Sequence, residues 1–139
     1  MYRINLLALV LAFFAEIGVD ILTQSVLFIF FGGDAISTDM SDEALQKVFD
    51  TVKEMPSYTF AAVLCGSATI VGGGYLAARI AQRYPYYHGL GMGLMGIAFV
   101  LFFWQAEPLW LNLLSLVSNI PLSIWGAHLA KRHMPPPAE

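Results

Sequence analysis

Three polar side chains recur every fourth residue in the first long apolar segment, namely Glu16, Asp20 and Gln24. At this spacing they share one face of an α-helix. In a helix that crosses a membrane, a carboxylate near the bilayer centre costs about 2.5 to 3.5 kcal/mol unless it is protonated, paired or hydrated. Two such groups on one face therefore indicate either a proton or cation pathway or neutral carboxyls that hydrogen-bond to other helices.

A second polar stripe lies in the last apolar segment, at Asn112, Ser115, Asn119 and Ser123. Spacings of three and four residues place these side chains on one helix face as well. We expect this stripe to face the first one, with the amides of Asn112 and Asn119 donating to the carboxyls. The same arrangement would suit internal hydrogen bonding or a narrow hydrated route, and the sequence leaves both interpretations open.

Other kinds of chemistry lack a recognisable set of residues. The three histidines, His88, His128 and His133, match no metal-binding spacing, and the single cysteine, Cys65, has no partner for an intrachain disulfide. We find no nucleophile triad, phosphate-binding loop or redox motif. The sequence thus predicts no catalytic residue, metal site or cofactor, and a net charge of −3 makes nucleic acid an unsuitable partner.

The composition predicts that these residues lie in a membrane. Of 139 residues, 58% are hydrophobic and only 12% are charged, and the mean hydropathy is +0.65. A membrane-spanning helix needs about 20 mainly apolar residues. Four segments approach or exceed this length, so we predict one all-α, polytopic membrane domain over residues 1–139, with helices at about 4–31, 57–80, 87–104 and 109–130.

The positive charges predict how the helices are oriented. They cluster at the N-terminus, in the second connection and at the C-terminus, at Arg3, Arg79, Arg83, Lys131 and Arg132. Because cytoplasmic loops carry an excess of lysine and arginine, both termini are expected in the cytoplasm. The connection over residues 32–56 is mainly acidic and is expected on the opposite side.

That connection contains a helical pattern of its own. Apolar residues recur at helical spacing after Ser41, a plausible N-cap, at Leu45, Val48, Phe49, Val52 and Met55. We expect a short amphipathic helix, which either covers the mouth of the helix bundle or lies on the outer leaflet.

Small residues predict where helices approach closely. They recur every four residues in the second segment, at Ala61, Cys65, Thr69, Gly73 and Ala77, and again in the third, at Gly89, Gly93 and Gly96. In lipid, such faces allow helix backbones to pack together. We expect the second and third segments to cross closely, and a homodimer contact is the alternative use of one face.

One segment resembles a known group of proteins. Residues 73–81, Gly-Gly-Tyr-Leu-Ala-Ala-Arg-Ile-Ala, are followed at residues 84–89 by Tyr-Pro-Tyr-Tyr-His-Gly. This pattern resembles small bacterial four-helix membrane proteins of unassigned function. The resemblance implies a compact bundle in the bacterial inner membrane and implies no activity.

Two functional hypotheses follow from these patterns. The first is a non-enzymatic membrane protein that acts by association, either as a homo-oligomer or as a small subunit of a membrane complex. The second is a small transporter or channel linked to protons or cations through Glu16 and Asp20.

Overall fold

The computed structural model describes residues 4–104 and 107–134, without the side chain of Asp34. Within these ranges the chain forms five α-helices and no β-strand. The helices are α1 (Leu6–Gly32), α2 (Asp42–Lys53), α3 (Pro56–Ala81), α4 (Pro85–Phe102) and α5 (Leu109–Arg132), with one turn of 3₁₀ helix at Gly33–Ala35. The predicted all-α fold class is therefore confirmed for the described residues.

Four of these helices are long and apolar enough to cross a membrane, namely α1, α3, α4 and α5. Their bounds agree with the four predicted segments to within two residues at each end. Prolines sharpen three of the starts, because Pro56 and Pro85 open α3 and α4, and Pro108 precedes α5. The predictions that concern Arg3 and the last residues of the chain lie outside the described residues.

Helix α2 begins where the polar connection predicts a helix. The hydroxyl oxygen of Ser41 accepts a hydrogen bond from the backbone N–H of Ala44 at 3.3 Å. Asp42 and Glu43 occupy the first turn, where carboxylates interact favourably with the helix dipole, and Lys53 occupies the last.

The chain divides into two compact units, residues 18–66 and residues 1–17 with 67–139. The second of these, here called the large unit, contains the start of α1, the second half of α3, and α4 and α5. Its core has two clusters of buried side chains. Leu9, Ala12, Ala77 and Met92 form one cluster, and Ala78, Ala127 and Ala130 form the other.

Within the large unit, α3 and α5 meet at the level of their backbones. A Cβ added at Gly74 would overlap the carbonyl oxygen of Ser123 and lie 2.7 Å from its carbonyl carbon. The contact is reciprocal, because a Cβ at Gly126 would overlap the carbonyl oxygen of Val71 and lie 2.8 Å from the amide nitrogen of Tyr75. Glycine is therefore required on both sides of this crossing.

Two glycines of α4 also pack on α5. A Cβ at Gly89 would lie 2.7 Å from Cβ of Ala127, and a Cβ at Gly93 would lie 2.7 Å from Cα of Ile120. This corrects the expectation that the small residues of α4 meet those of α3. Helices α4 and α5 are consecutive and are joined through residues 103–108, so they lie side by side. Helix α5 presents small residues to both α3 and α4.

The small unit, residues 18–66, contains the end of α1, helix α2 and the start of α3. Aromatic rings connect these elements, with ring centroids 5.3 Å apart for Phe28 and Phe49 and 5.8 Å apart for Phe31 and Tyr58. Val52 of α2 is 2% exposed. Helix α2 therefore packs against the end of α1 through its apolar residues.

Candidate functional site

The carboxyl group of Glu16 occupies the space left by a glycine on α3. A Cβ added at Gly73 would overlap Oε2 of Glu16 and lie 2.7 Å from its Cδ. The same Cβ would lie 3.0 Å from Cε of Met92, whose side chain is buried in the core of the large unit. Glu16 itself is half-buried. An acidic group is thus packed against helix backbone, one turn from the buried Ala12.

The other two residues of the α1 stripe lie in the small unit and also face α3. Oδ1 of Asp20 lies 3.9 Å from the position of a Cβ on Gly66. The hydroxyl of Tyr58 donates to Oε1 of Gln24 at 3.4 Å. Glu16 and Asp20 therefore each approach a glycine of α3, and Gln24 bonds to a tyrosine of α3.

The polar stripe of α5 has partners within its own hairpin. The Asn112 amide donates to the carbonyl oxygens of Trp104 at 2.7 Å and Glu107 at 3.0 Å. These two bonds use both hydrogens of the amide. Asn112 therefore satisfies carbonyls at the end of α4 and in the α4–α5 connection, which corrects the expectation that it donates to the carboxyls of α1.

Asn119 fills the space above another glycine. Its amide nitrogen donates to the carbonyl oxygen of Ser115 at 2.9 Å, and a Cβ at Gly96 would overlap its Oδ1 and lie 2.8 Å from its Cγ. Asn119 is 4% exposed. This side chain, like the backbone of the buried Ser123, belongs to the α4–α5 contact, and Ser115 contributes to it through its carbonyl oxygen.

The predicted small-residue ladder of α3 is buried at only one end. Gly73 and Ala77 are buried in the large unit, whereas Ala61, Cys65 and Thr69 are half-buried. The C-terminal end of this small-residue ladder, at Gly73 and Ala77, therefore contributes to internal packing.

His88 has a structural role that the sequence did not reveal. Its side chain is 1% exposed, and its Nε2 accepts a hydrogen bond from the backbone N–H of Asn5 at 3.0 Å. Its Nδ1 lies 3.1 Å from the carbonyl oxygen of Tyr84. Because the backbone N–H of Asn5 can only donate and the carbonyl of Tyr84 can only accept, the ring tautomer with its hydrogen on Nδ1 satisfies both bonds. Asn5 in turn caps α1 by accepting from Ala8 N–H at 3.1 Å.

We expect His88→Leu to lower the free energy of unfolding by about 2 kcal/mol, since it removes two hydrogen bonds and leaves a partly buried N–H and carbonyl without these partners. His88→Gln keeps an acceptor near the position of Nε2 and should lose less. Thermal unfolding of both variants in a mild detergent measures the difference. Equal stability of His88→Leu and the wild type would show that the histidine does not anchor α1.

The described residues contain no group of three His, Cys, Asp or Glu side chains positioned to hold a metal ion. His128 and His133 have other contacts. Nδ1 of His128 lies 2.9 Å from the Tyr86 hydroxyl, and Nδ1 of His133 lies 2.9 Å from the carbonyl oxygen of Leu129.

Comparison of the chain with models of known protein families, with curated proteins and with solved structures gave no match.

Proposed function

We propose that this chain is a non-enzymatic, polytopic membrane protein that acts by association, with a second copy of itself or with another membrane subunit. Its four long apolar helices support the membrane part of this proposal. The positions of its basic residues, together with the resemblance described above, favour the bacterial inner membrane with both termini in the cytoplasm. Helix α2, with its acidic first turn, then lies on the outer side as an amphipathic helix packed on α1.

The exposure of Gly72 on α3 is the observation that best supports association. It is exposed, and a Cβ added there would meet nothing within 4 Å. Glycine inside a helix is destabilising by roughly 0.5–1 kcal/mol relative to alanine. Most glycines of the chain offset this cost with a close internal contact or a positive φ, but Gly72, like Gly18 on α1, has neither.

The surroundings of Gly72 suit a second helix. Ala68 is exposed one turn earlier on the same face, so the pair forms a small-xxx-small motif on the outside of α3. In lipid, association depends on close backbone approach, and a surface notch of this kind lets a partner helix approach α3. The glycines of α4 do not offer an equivalent surface, because α5 covers Gly89, Gly93 and Gly96, and Leu9 of α1 covers Gly91.

Gly72→Leu is expected to weaken self-association or subunit binding at least about tenfold, equivalent to about 1.4 kcal/mol, because the new side chain fills the notch. The fold should remain intact, since the space beside Gly72 is open. Energy transfer between labelled copies in liposomes measures self-association, and native mass spectrometry identifies any subunit that copurifies.

Gly18→Leu is the matched control. It places the same side chain at an exposed glycine of α1 that also has nothing within 4 Å of its Cβ position. Association should survive in this variant. A wild-type protein that is strictly monomeric and purifies without partners would refute the proposal, as would a Gly72→Leu variant that associates normally.

The packing of Glu16 against Gly73 favours a second candidate function, a proton- or cation-linked transporter or channel. A carboxyl retained in the apolar part of a membrane helix is expensive, and such groups commonly mark ion routes. Liposome flux of the wild type and of Glu16→Gln and Asp20→Asn variants would separate this function from association.

A further inference from the structure

We propose that one end of the large unit binds the phosphate of an anionic phospholipid headgroup. This inference requires the membrane insertion on which the proposed function also rests, but it does not require association. The site is defined by four exposed cations, here called the basic end: Arg79, Arg83, Lys131 and Arg132.

Contacts between three helix ends bring the basic end together. Arg79, in the last turn of α3, donates from a guanidinium nitrogen to the carbonyl oxygen of His133 at 2.7 Å, just beyond α5. Lys131, in the last turn of α5, has its ammonium nitrogen 5.2 Å from the ring centroid of Tyr86, near the start of α4. Arg83 lies in the connection between α3 and α4.

The described part of the large unit has no carboxylate beside these cations. Its acidic residues are Glu16 and Glu107. Glu107 lies in the α4–α5 connection, at the opposite end of those helices. Glu16 is about 15 Å along α1 from its start, at 1.5 Å per residue, and the start of α1 is the part that contacts His88. Within the described part of the large unit, no carboxylate neutralises these four positive charges.

Neighbouring side chains hold part of this surface in place. The hydroxyl of Tyr86 lies 2.9 Å from Nδ1 of His128, and the two rings stack at 6.2 Å with an interplanar angle of 25°. The ammonium group of Lys131 lies over the Tyr86 ring of this stack and is attracted to its face by a cation–π interaction. Basic and aromatic side chains in this arrangement are typical of the headgroup region of a membrane protein.

Exposed apolar side chains on the same helices as the cations favour a lipid over a free phosphate. Ile80 follows Arg79 directly and is 40% exposed, and Trp125 on α5 is 55% exposed. An acyl chain can cover such side chains while its phosphate contacts the arginines and lysine. A soluble phosphate ester would use only the charges.

The test compares the wild type with a triple variant, Arg83→Gln, Lys131→Gln and Arg132→Gln, which leaves the hydrogen bond of Arg79 intact. Both are placed in nanodiscs of phosphatidylcholine with and without phosphatidylglycerol, and retained lipid is counted by native mass spectrometry. We expect the wild type to retain phosphatidylglycerol preferentially and the triple variant to bind it about 100-fold more weakly, from roughly one kcal/mol per cation near the surface. Added salt should weaken the wild-type preference.

Lys47→Gln with Lys53→Gln is the control in the small unit, where it removes two positive charges against three in the triple variant, and it should keep the lipid preference. Equal retention of the two lipids by the wild type, or an unchanged preference in the triple variant, would overturn the inference. Competition by glycerol phosphate as strong as that of the lipid would show a free-phosphate site and overturn it as well. Association measured in the same nanodiscs tests the proposed function separately, and failure to insert would overturn both.

Discussion

Gly74→Ala is expected to lower the free energy of unfolding by about 3 kcal/mol, the upper end of the usual cost of overpacking. The added Cβ would overlap the carbonyl oxygen of Ser123 and lie 2.7 and 2.8 Å from its carbonyl carbon and Cα. These are backbone atoms, so no side-chain rotation can relieve the overlap. Helix α5 must move away from α3, and the reciprocal contact at Gly126 is then lost too.

Gly18→Ala is the control for this change. It adds the same methyl group at a helix glycine with nothing within 4 Å of its Cβ position. This variant should gain up to about 1 kcal/mol from helix propensity. Reversible unfolding in mixed detergent micelles measures both variants. Equal stability of the two would show that α3 and α5 do not meet at backbone contact.

The sequence was sufficient to predict the helices. Long apolar segments separated by polar or proline-containing breaks specify their ends closely, since a chain in lipid must satisfy its backbone within each helix. Ser41 was likewise recognisable as an N-cap, because its signal is local to a few residues.

The pairing of helix faces was harder to predict. Gly89 and Gly93 showed that α4 approaches some backbone closely, but a glycine does not specify which neighbour fills its space. Both α3 and α5 present small residues, and the more regular spacing of those on α3 favours α3 as the partner of α4. Ala127 of α5, which meets Gly89, lies outside both of the predicted small-residue patterns.

The partners of polar side chains were the least predictable feature. His88 and Asn112 bond to backbone groups near helix ends, and every helix end offers such groups. The carboxyls of Glu16 and Asp20 could be located on one face of α1, but not assigned to Gly73 and Gly66 of α3, because a glycine has no side chain that would indicate such a contact.

Glu16 and Gly73 are expected to be energetically coupled. Gly73→Ala alone should destabilise the protein, because its Cβ takes the space that the half-buried Glu16 carboxyl occupies, and the carboxyl must move out of it. In a Glu16→Ala background that carboxyl is absent, so the same methyl group should be tolerated. A double-mutant cycle on unfolding free energies should give a coupling of about 1–3 kcal/mol. Additive effects would show that the carboxyl does not occupy this space.

The same variants separate the two candidate functions. If Glu16 carries protons or cations, Glu16→Gln and Gly73→Ala should both reduce liposome flux, since one removes the ionisable group and the other moves it. If the carboxyl serves packing alone, wild-type liposomes should show no flux above protein-free liposomes, while the stability coupling persists. Flux that persists in Glu16→Gln would exclude this carboxyl from any ion route. The Gly72→Leu variant is designed to change association and leaves Glu16 in place. Comparing flux in Gly72→Leu and Glu16→Gln therefore shows whether the function depends on association or on the Glu16 carboxyl.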